Sequence, residues 1–259
     1  MELLVLEKAR GDKTAEILSL LESSLRRMAS GLSVNCRIVG VSKQHWVKLH
    51  ISGDDQEVLC QLIERKFGLA PGNISNLEVG AVYRGFVTEQ TAEGLCLDLG
   101  VTSPLTTLAL YPLRAMRAQL FNGEELPVKQ VAREYCLHQD FPLQVRIVEL
   151  NMADGKIEVE LSEKQELYFK EWQQYPFDRI ISIGALPHEI ETAIQRLGLE
   201  RDVVQREQRS LMVHVLTCKI GTDSPGVIAK LGLHLRGVKL FAFTPEIRRR
   251  VNTSKPKEV

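Results

Sequence analysis

What most restricts the fold of this chain is a stretch near its middle. Val79-Gly80-Ala81-Val82-Tyr83-Arg84-Gly85-Phe86-Val87-Thr88 is followed, after a turn, by Glu93-Gly94-Leu95-Cys96-Leu97-Asp98-Leu99-Gly100. The two segments alternate around the turn, the period-two pattern of paired strands. Gly85 interrupts the first strand where a small barrel has to coil sharply, and Gly94 and Gly100 supply turn geometry at the ends of the second. Two further strands, Pro142 to Val148 and Lys156 to Ser162, lie across Ala153-Asp154-Gly155, a hairpin signal. Short, sharply curled strands of this kind predict a small β-barrel over residues 76–165. A helical insertion at about 113–137 is anchored by Met116, Leu120, Val131 and Tyr135.

The flanks read differently. Residues 1–75 predict a β-α-β-β-α domain: Leu3-Leu4-Val5-Leu6 as a strand, then a helix with Ile17, Leu18, Leu21, Leu25 and Met28 on one face. The strands Val34–Val39 and Trp46–Ile51 follow, and then a helix with Val58, Leu59, Leu62, Ile63 and Phe67 as its face, Asp54 or Asp55 as its cap and Gly68 past its end. Residues 166–247 repeat the rhythm: a strand at Arg179–Ile183, a helix Pro187–Leu197, a strand Leu211–Cys218, a helix from Pro225 and a strand Val238–Phe243. Residues 248–259 read as a basic tail. The fold class is therefore α+β, a central barrel flanked by two small β-α-β-β-α-type segments.

Composition excludes several classes. No apolar run reaches the roughly 18–20 residues of a membrane span, and no signal peptide is visible, so a cytoplasmic location is expected. Five scattered cysteines read as structural thiols of a reducing compartment, and no Cys or His spacing suits a metal. Neither metal nor cofactor is expected. Net charge is zero overall but unevenly spread: +1 over residues 1–75, −5 over 76–165, −2 over 166–218 and +6 over 219–259. Phosphate backbones require local cation density, which the C-terminal end has and the middle lacks.

The central pattern resembles the RNA-binding OB domain repeated in the largest protein of the bacterial small ribosomal subunit, a domain that also occurs in exonucleases, initiation factors and the RNA polymerase stalk. That resemblance implies an OB-type barrel and an RNA-linked role. The family's second strand usually carries base-stacking aromatics, whereas Glu93 and Cys96 stand at the corresponding positions here. Through Pro104-Leu105-Thr106-Thr107-Leu108, Phe141 to Val148 and Cys218-Lys219-Ile220-Gly221-Thr222-Asp223, the whole chain also resembles an uncharacterised archaeal family of three-part proteins with a central OB domain. That implies an archaeal, cytoplasmic source and supplies no activity.

Candidate binding residues fall in two groups. Lys219, Gly221 and Thr222, with Lys230 and Lys239 nearby, form a strand-to-helix loop whose backbone N–H groups suit a phosphate; the alternative is a capped turn with Asp223 or Ser224 as N-cap. Arg248, Arg249 and Arg250 are either an electrostatic grip on nucleic acid or a solvated tail. On the barrel, Tyr83, Arg84 and Arg146 are candidates for stacking and phosphate contacts; if the strand alternates, Tyr83 and Phe86 cannot both face outward. No nucleophile or carboxylate constellation accompanies the histidines, so no catalytic residue is assigned. The expected role is a non-catalytic RNA-associated protein of translation, transcription or RNA processing, with RNA or a ribonucleoprotein as partner and the acidic barrel available to a protein. A pure protein-interaction adaptor is the first alternative. A phosphate-handling enzyme using the Gly221 loop is a distant one.

Overall fold

The computed structural model describes residues 1–245. Its first sheet has three antiparallel strands in the order β1-β3-β2, formed by β1 (Glu2–Lys8), β2 (Val34–Val41) and β3 (Trp46–Gly53). Helices α1 (Thr14–Met28) and α2 (Gln56–Phe67) complete the β-α-β-β-α segment. They bury Ile17, Leu21 and Leu25, and Leu59, Ile63 and Phe67, at the four-residue steps of a helical face. Two expectations fail here. Val58 and Leu62 are exposed, because the stripe that reaches the core is narrower than the apolar sequence. Asp55 precedes α2 without capping it, and its carboxylate instead accepts the N–H of Ser33 at 2.6 Å.

The middle of the chain closes a five-stranded OB-like barrel from β5 (Val82–Gln90), β6 (Gly94–Ser103), β7 (Thr107–Pro112), β8 (Pro142–Asn151) and β9 (Lys156–Leu161). Going round it, the strands run β6-β5-β8-β9-β7 and back to β6. A two-residue strand, β4 (Gly72–Asn73), adds parallel to β6. Leu95, Leu97, Leu99 and Val101 alternate into the barrel core, as their spacing requires. Gly94 has φ +158°, and a Cβ there would lie 2.1 Å from the Tyr111 carbonyl oxygen, so only glycine fits where β6 begins. Between β7 and β8 stand α3 (Leu113–Phe121) and α4 (Val128–Glu134), with Met116, Val131 and Tyr135 buried and Leu120 half-buried. By compactness the chain forms two units: Met1–Gly85 with Asp98–Ala109 and Ile147–Glu158, and Phe86–Leu97 with Leu110–Arg146 and the described chain from Val159 on.

The last sheet is antiparallel in the order β11-β12-β10-β13, made of β10 (Arg179–Ile183), β11 (Val203–Ser210), β12 (Val213–Cys218) and β13 (Lys239–Phe243). One face is covered by α6 (Pro187–Arg196) and α7 (Ser224–His234), which share a core with Ile180, Leu216 and Cys218. Against the other lies α5 (Glu163–Gln174), whose N-cap Ser162 accepts the Gln165 N–H. Trp172 of α5 packs at 4.9 Å from Phe243 of β13 and 5.3 Å from Phe169, with the buried Arg179 guanidinium 5.3 Å from its ring. All five cysteines are free thiols; Cys136 and Cys218 are buried, whereas Cys36, Cys60 and Cys96 are half-exposed.

His214 on β12 is buried, with Nε2 3.0 Å from the Ala185 carbonyl, and burial holds its imidazole below the ordinary histidine range. An unfolded histidine titrates at about 6.5. As pH falls through that value the unfolded chain takes up a proton the folded chain resists, so the stability from a neutral His214 is present above it and lost below it. The denaturation midpoint should fall between about pH 7.5 and about pH 5.5, and less steeply in His214→Gln. An equal slope in the variant would remove His214 from that account.

Candidate functional site

OB barrels take ligands over their second and third strands and the adjoining loops. In the first compact unit the outer side of β6 is already occupied by the chain itself. Asp98, buried, accepts Lys8 Nζ at 2.9 Å through one oxygen and the Gly100 N–H at 2.9 Å through the other. Lys8 also lies 4.4 Å over the Trp46 ring. Gly100, with φ +82°, leaves room for the main chain beside it: a Cβ there would fall 2.4 Å from Ala70 Cβ. Pairing of Gly72 with Val101 and of Asn73 with Ser103 completes the cover.

The barrel residues singled out in the sequence are engaged in the same way. Arg84 donates to the Phe67 carbonyl at 2.9 Å and lies 3.9 Å from the buried Glu7 carboxylate. Tyr83 accepts the Glu78 N–H and donates to the Asn76 carbonyl, both at 3.1 Å. Phe86 is buried and Tyr83 half-buried, so of these two aromatics it is Phe86 that enters the core. In the second unit Arg146 pairs with Glu160, which raises its pKa. A cation held by a carboxylate has little left to offer a phosphate.

Tyr83 and Arg84 line a cavity of about 1130 Å³ in the first unit. Its charged lining is Lys43, Lys48 and Arg84 against Glu2 and Glu64, with Gln44 and Thr106 bonded to one another at its wall. The signs nearly balance. Such a lining suits a neutral or zwitterionic polar group better than a phosphodiester chain, which calls for a clear cation surplus.

The C-terminal segment is arranged otherwise. The loop Lys219-Ile220-Gly221-Thr222 leads into α7, and of its two readings the geometry has the cap: Asp223 accepts the Gly226 N–H at 3.1 Å. Ser224 donates to the buried Asp178 carboxylate at 2.8 Å. Asp223 thus sits where an anion bound at the helix N-terminus would sit. The lysines around it are a different matter. Lys219, Lys230 and Lys239 are exposed and make no ion pair among the described residues, and Arg236, which the sequence reading passed over, shares that state. Residues 219–245 hold these four cations and one acid, Asp223. Arg248, Arg249 and Arg250 lie outside the described residues.

The sequence reading also missed two rings. His138, just after α4, stacks on Phe241 of β13 with ring centroids 3.6 Å apart and planes 16° from parallel. Nothing local marks either residue, since they meet only through the tertiary fold.

Three models of one family cover the chain in order: the DUF2110 N-terminal domain over residues 3–72, the central domain over 77–173 and the C-terminal domain over 177–243. No curated protein matches it. Among solved structures, an uncharacterized protein of Methanocaldococcus jannaschii is 14% identical with a TM-score of 0.23, covering 34% of this chain and 95% of its own. The K3L protein of vaccinia virus gives 14% and 0.23, covering 33% and 89%. A chain from the a/eIF2alpha–aDim2p–rRNA complex of Pyrococcus horikoshii gives 14% and 0.26, covering 49% and 70%. Values this low say nothing of what the present chain binds. No helix among the described residues is long and apolar enough to cross a membrane.

Proposed function

The chain belongs to the three-part DUF2110 family, and on that footing we propose that it is a non-catalytic RNA-associated protein of translation, transcription or RNA processing, gripping RNA through its C-terminal part. One contrast carries the reading. The cations Lys8, Arg84, Arg146 and Lys156, on or against the barrel, are tied to carboxylates, whereas Lys219, Lys230, Arg236 and Lys239 are exposed and make no ion pair among the described residues, which suits them to a polyanion. Released counterions would drive such binding, with a slope of log K on log salt of about −0.7 per phosphate neutralised on a single strand.

Fluorescence anisotropy with labelled single-stranded RNA tests it. Binding should weaken steeply with salt, and replacing Lys219, Lys230, Arg236 and Lys239 by Ala should lower affinity about tenfold or more while flattening the slope by up to about 3. Absence of binding at low salt, or an unchanged slope in the variant, would sink the proposal. A protein-interaction adaptor is the second reading, favoured by Val79, Val82 and Val148, which are 62%, 54% and 48% exposed. They sit where β5 meets β8, fixed by Gly80 N–H donating to the Ile147 carbonyl and Ile147 N–H to that of Ala81. A phosphate-handling enzyme at Gly221 loses ground to the Asp223 carboxylate, which a phosphate would have to displace.

A further inference from the structure

We propose that His138 and Phe241, with Lys239 beside them, form a stacking site for one unpaired base of an RNA strand. This rests on the RNA reading above and gives it a place where a base is held.

β13 is an edge strand of the last sheet. Its residues alternate: Leu240 packs toward the core shared with α6 and α7, and Phe243 is buried against Trp172 on the opposite side. Lys239 and Phe241 share the Phe243 side, Lys239 exposed and Phe241 half-buried. His138 closes over Phe241 in the near-parallel stack described above and is itself half-buried. Among the described residues no other ring contacts either one. The pair is therefore a short aromatic column at a sheet edge, with both rings half-buried and so partly open to solvent. Burial and the nearby Lys239 hold the His138 imidazole below its ordinary range, so at neutral pH it stacks as an uncharged ring. Any base can extend such a column, because every base has a π-face, and histidine and phenylalanine both serve as platforms for splayed bases. Lys239, two residues from Phe241 on the same side of the strand, supplies the cation for the adjoining phosphate. The barrel lacks such a platform at Glu93 and Cys96; this one stands in the part of the chain whose exposed cations make no ion pair among the described residues.

The test uses the full chain and a single-stranded RNA oligonucleotide containing one 2-aminopurine, whose fluorescence is quenched on stacking. In the wild type, binding should quench the probe. The double variant His138→Leu/Phe241→Leu keeps apolar volume without rings; it should lower RNA affinity on the order of tenfold, leave the salt slope unchanged and abolish the quench. His138→Trp, which keeps a ring, should retain both affinity and quench. Lys239→Ala should lower the magnitude of the slope by about 0.7 and leave the quench in place. If the wild type binds RNA with no quench, or the double variant binds and quenches as the wild type does, the stacking site is wrong while RNA binding stands, and the rings belong to a protein contact. If the wild type binds no RNA at low salt, both the RNA reading and the stacking site fall together.

Discussion

Trp172→Ala should destabilise the compact unit that contains the last sheet by about 3–5 kcal/mol, the range for removing a buried Trp or Phe side chain from a core that cannot fully collapse. Trp172 is 2% exposed and meets Tyr168, Phe169 and Phe243 at centroid distances of 5.1, 5.3 and 4.9 Å. Its loss also strips an aromatic face from the Arg179 guanidinium, whose burial already pulls its pKa down. Arg179 would keep its bonds to the Trp172 and Phe177 carbonyls, so the cost falls on packing and not on a newly orphaned charge. Phe243 is the inner anchor of β13, and loosening it loosens Phe241 and Lys239 as well. Urea unfolding followed by near-ultraviolet circular dichroism measures this, and a loss below about 1 kcal/mol would mean that α5 is not the joint the packing implies.

Lys8→Ala should cost about 3–5 kcal/mol in the other unit, because breaking a buried pair leaves its partner charged and without compensation. The Lys8 and Asp98 side chains are 14% and 5% exposed, and once the ammonium is gone Asp98 keeps, among the described residues, the Gly100 N–H as its hydrogen-bond donor. The second substitution Asp98→Asn should then recover part of the loss, since an amide is cheaper to bury than an unpaired carboxylate. If the double variant is less stable than Lys8→Ala alone, the ion pair is not what holds residues 1–9 against β6. RNA affinity at moderate salt should be unaffected by Lys8→Ala, because the proposed grip lies beyond residue 218.

Much of this architecture was legible in the residues. Barrel strands announce themselves through alternation and well-placed glycines, and α1, α6 and α7 through apolar spacing and their ends. Other elements were not. β11 reads Val203-Val204-Gln205-Arg206-Glu207-Gln208-Arg209-Ser210, a polar run that no periodicity would call a strand; it exists because β12 offers it a pairing edge. α5 carried a signal that went unused, Ser162 followed three residues later by Gln165 at a helix start. Of the candidate site, the types of residue were readable and their partners were not: Tyr83, Arg84 and Arg146 look available in one dimension and are engaged in three.

The sequence by itself determined the three-part α+β layout, the barrel and the cation surplus of the C-terminal end. These depend on side-chain chemistry repeated at local spacings, which survives in a string of letters. Tertiary structure alone decided which charges are neutralised, that Asp223 fills its own helix end, and that His138 comes to lie on Phe241. Those outcomes depend on closing long stretches of chain on one another, and no local periodicity encodes which side chains then meet.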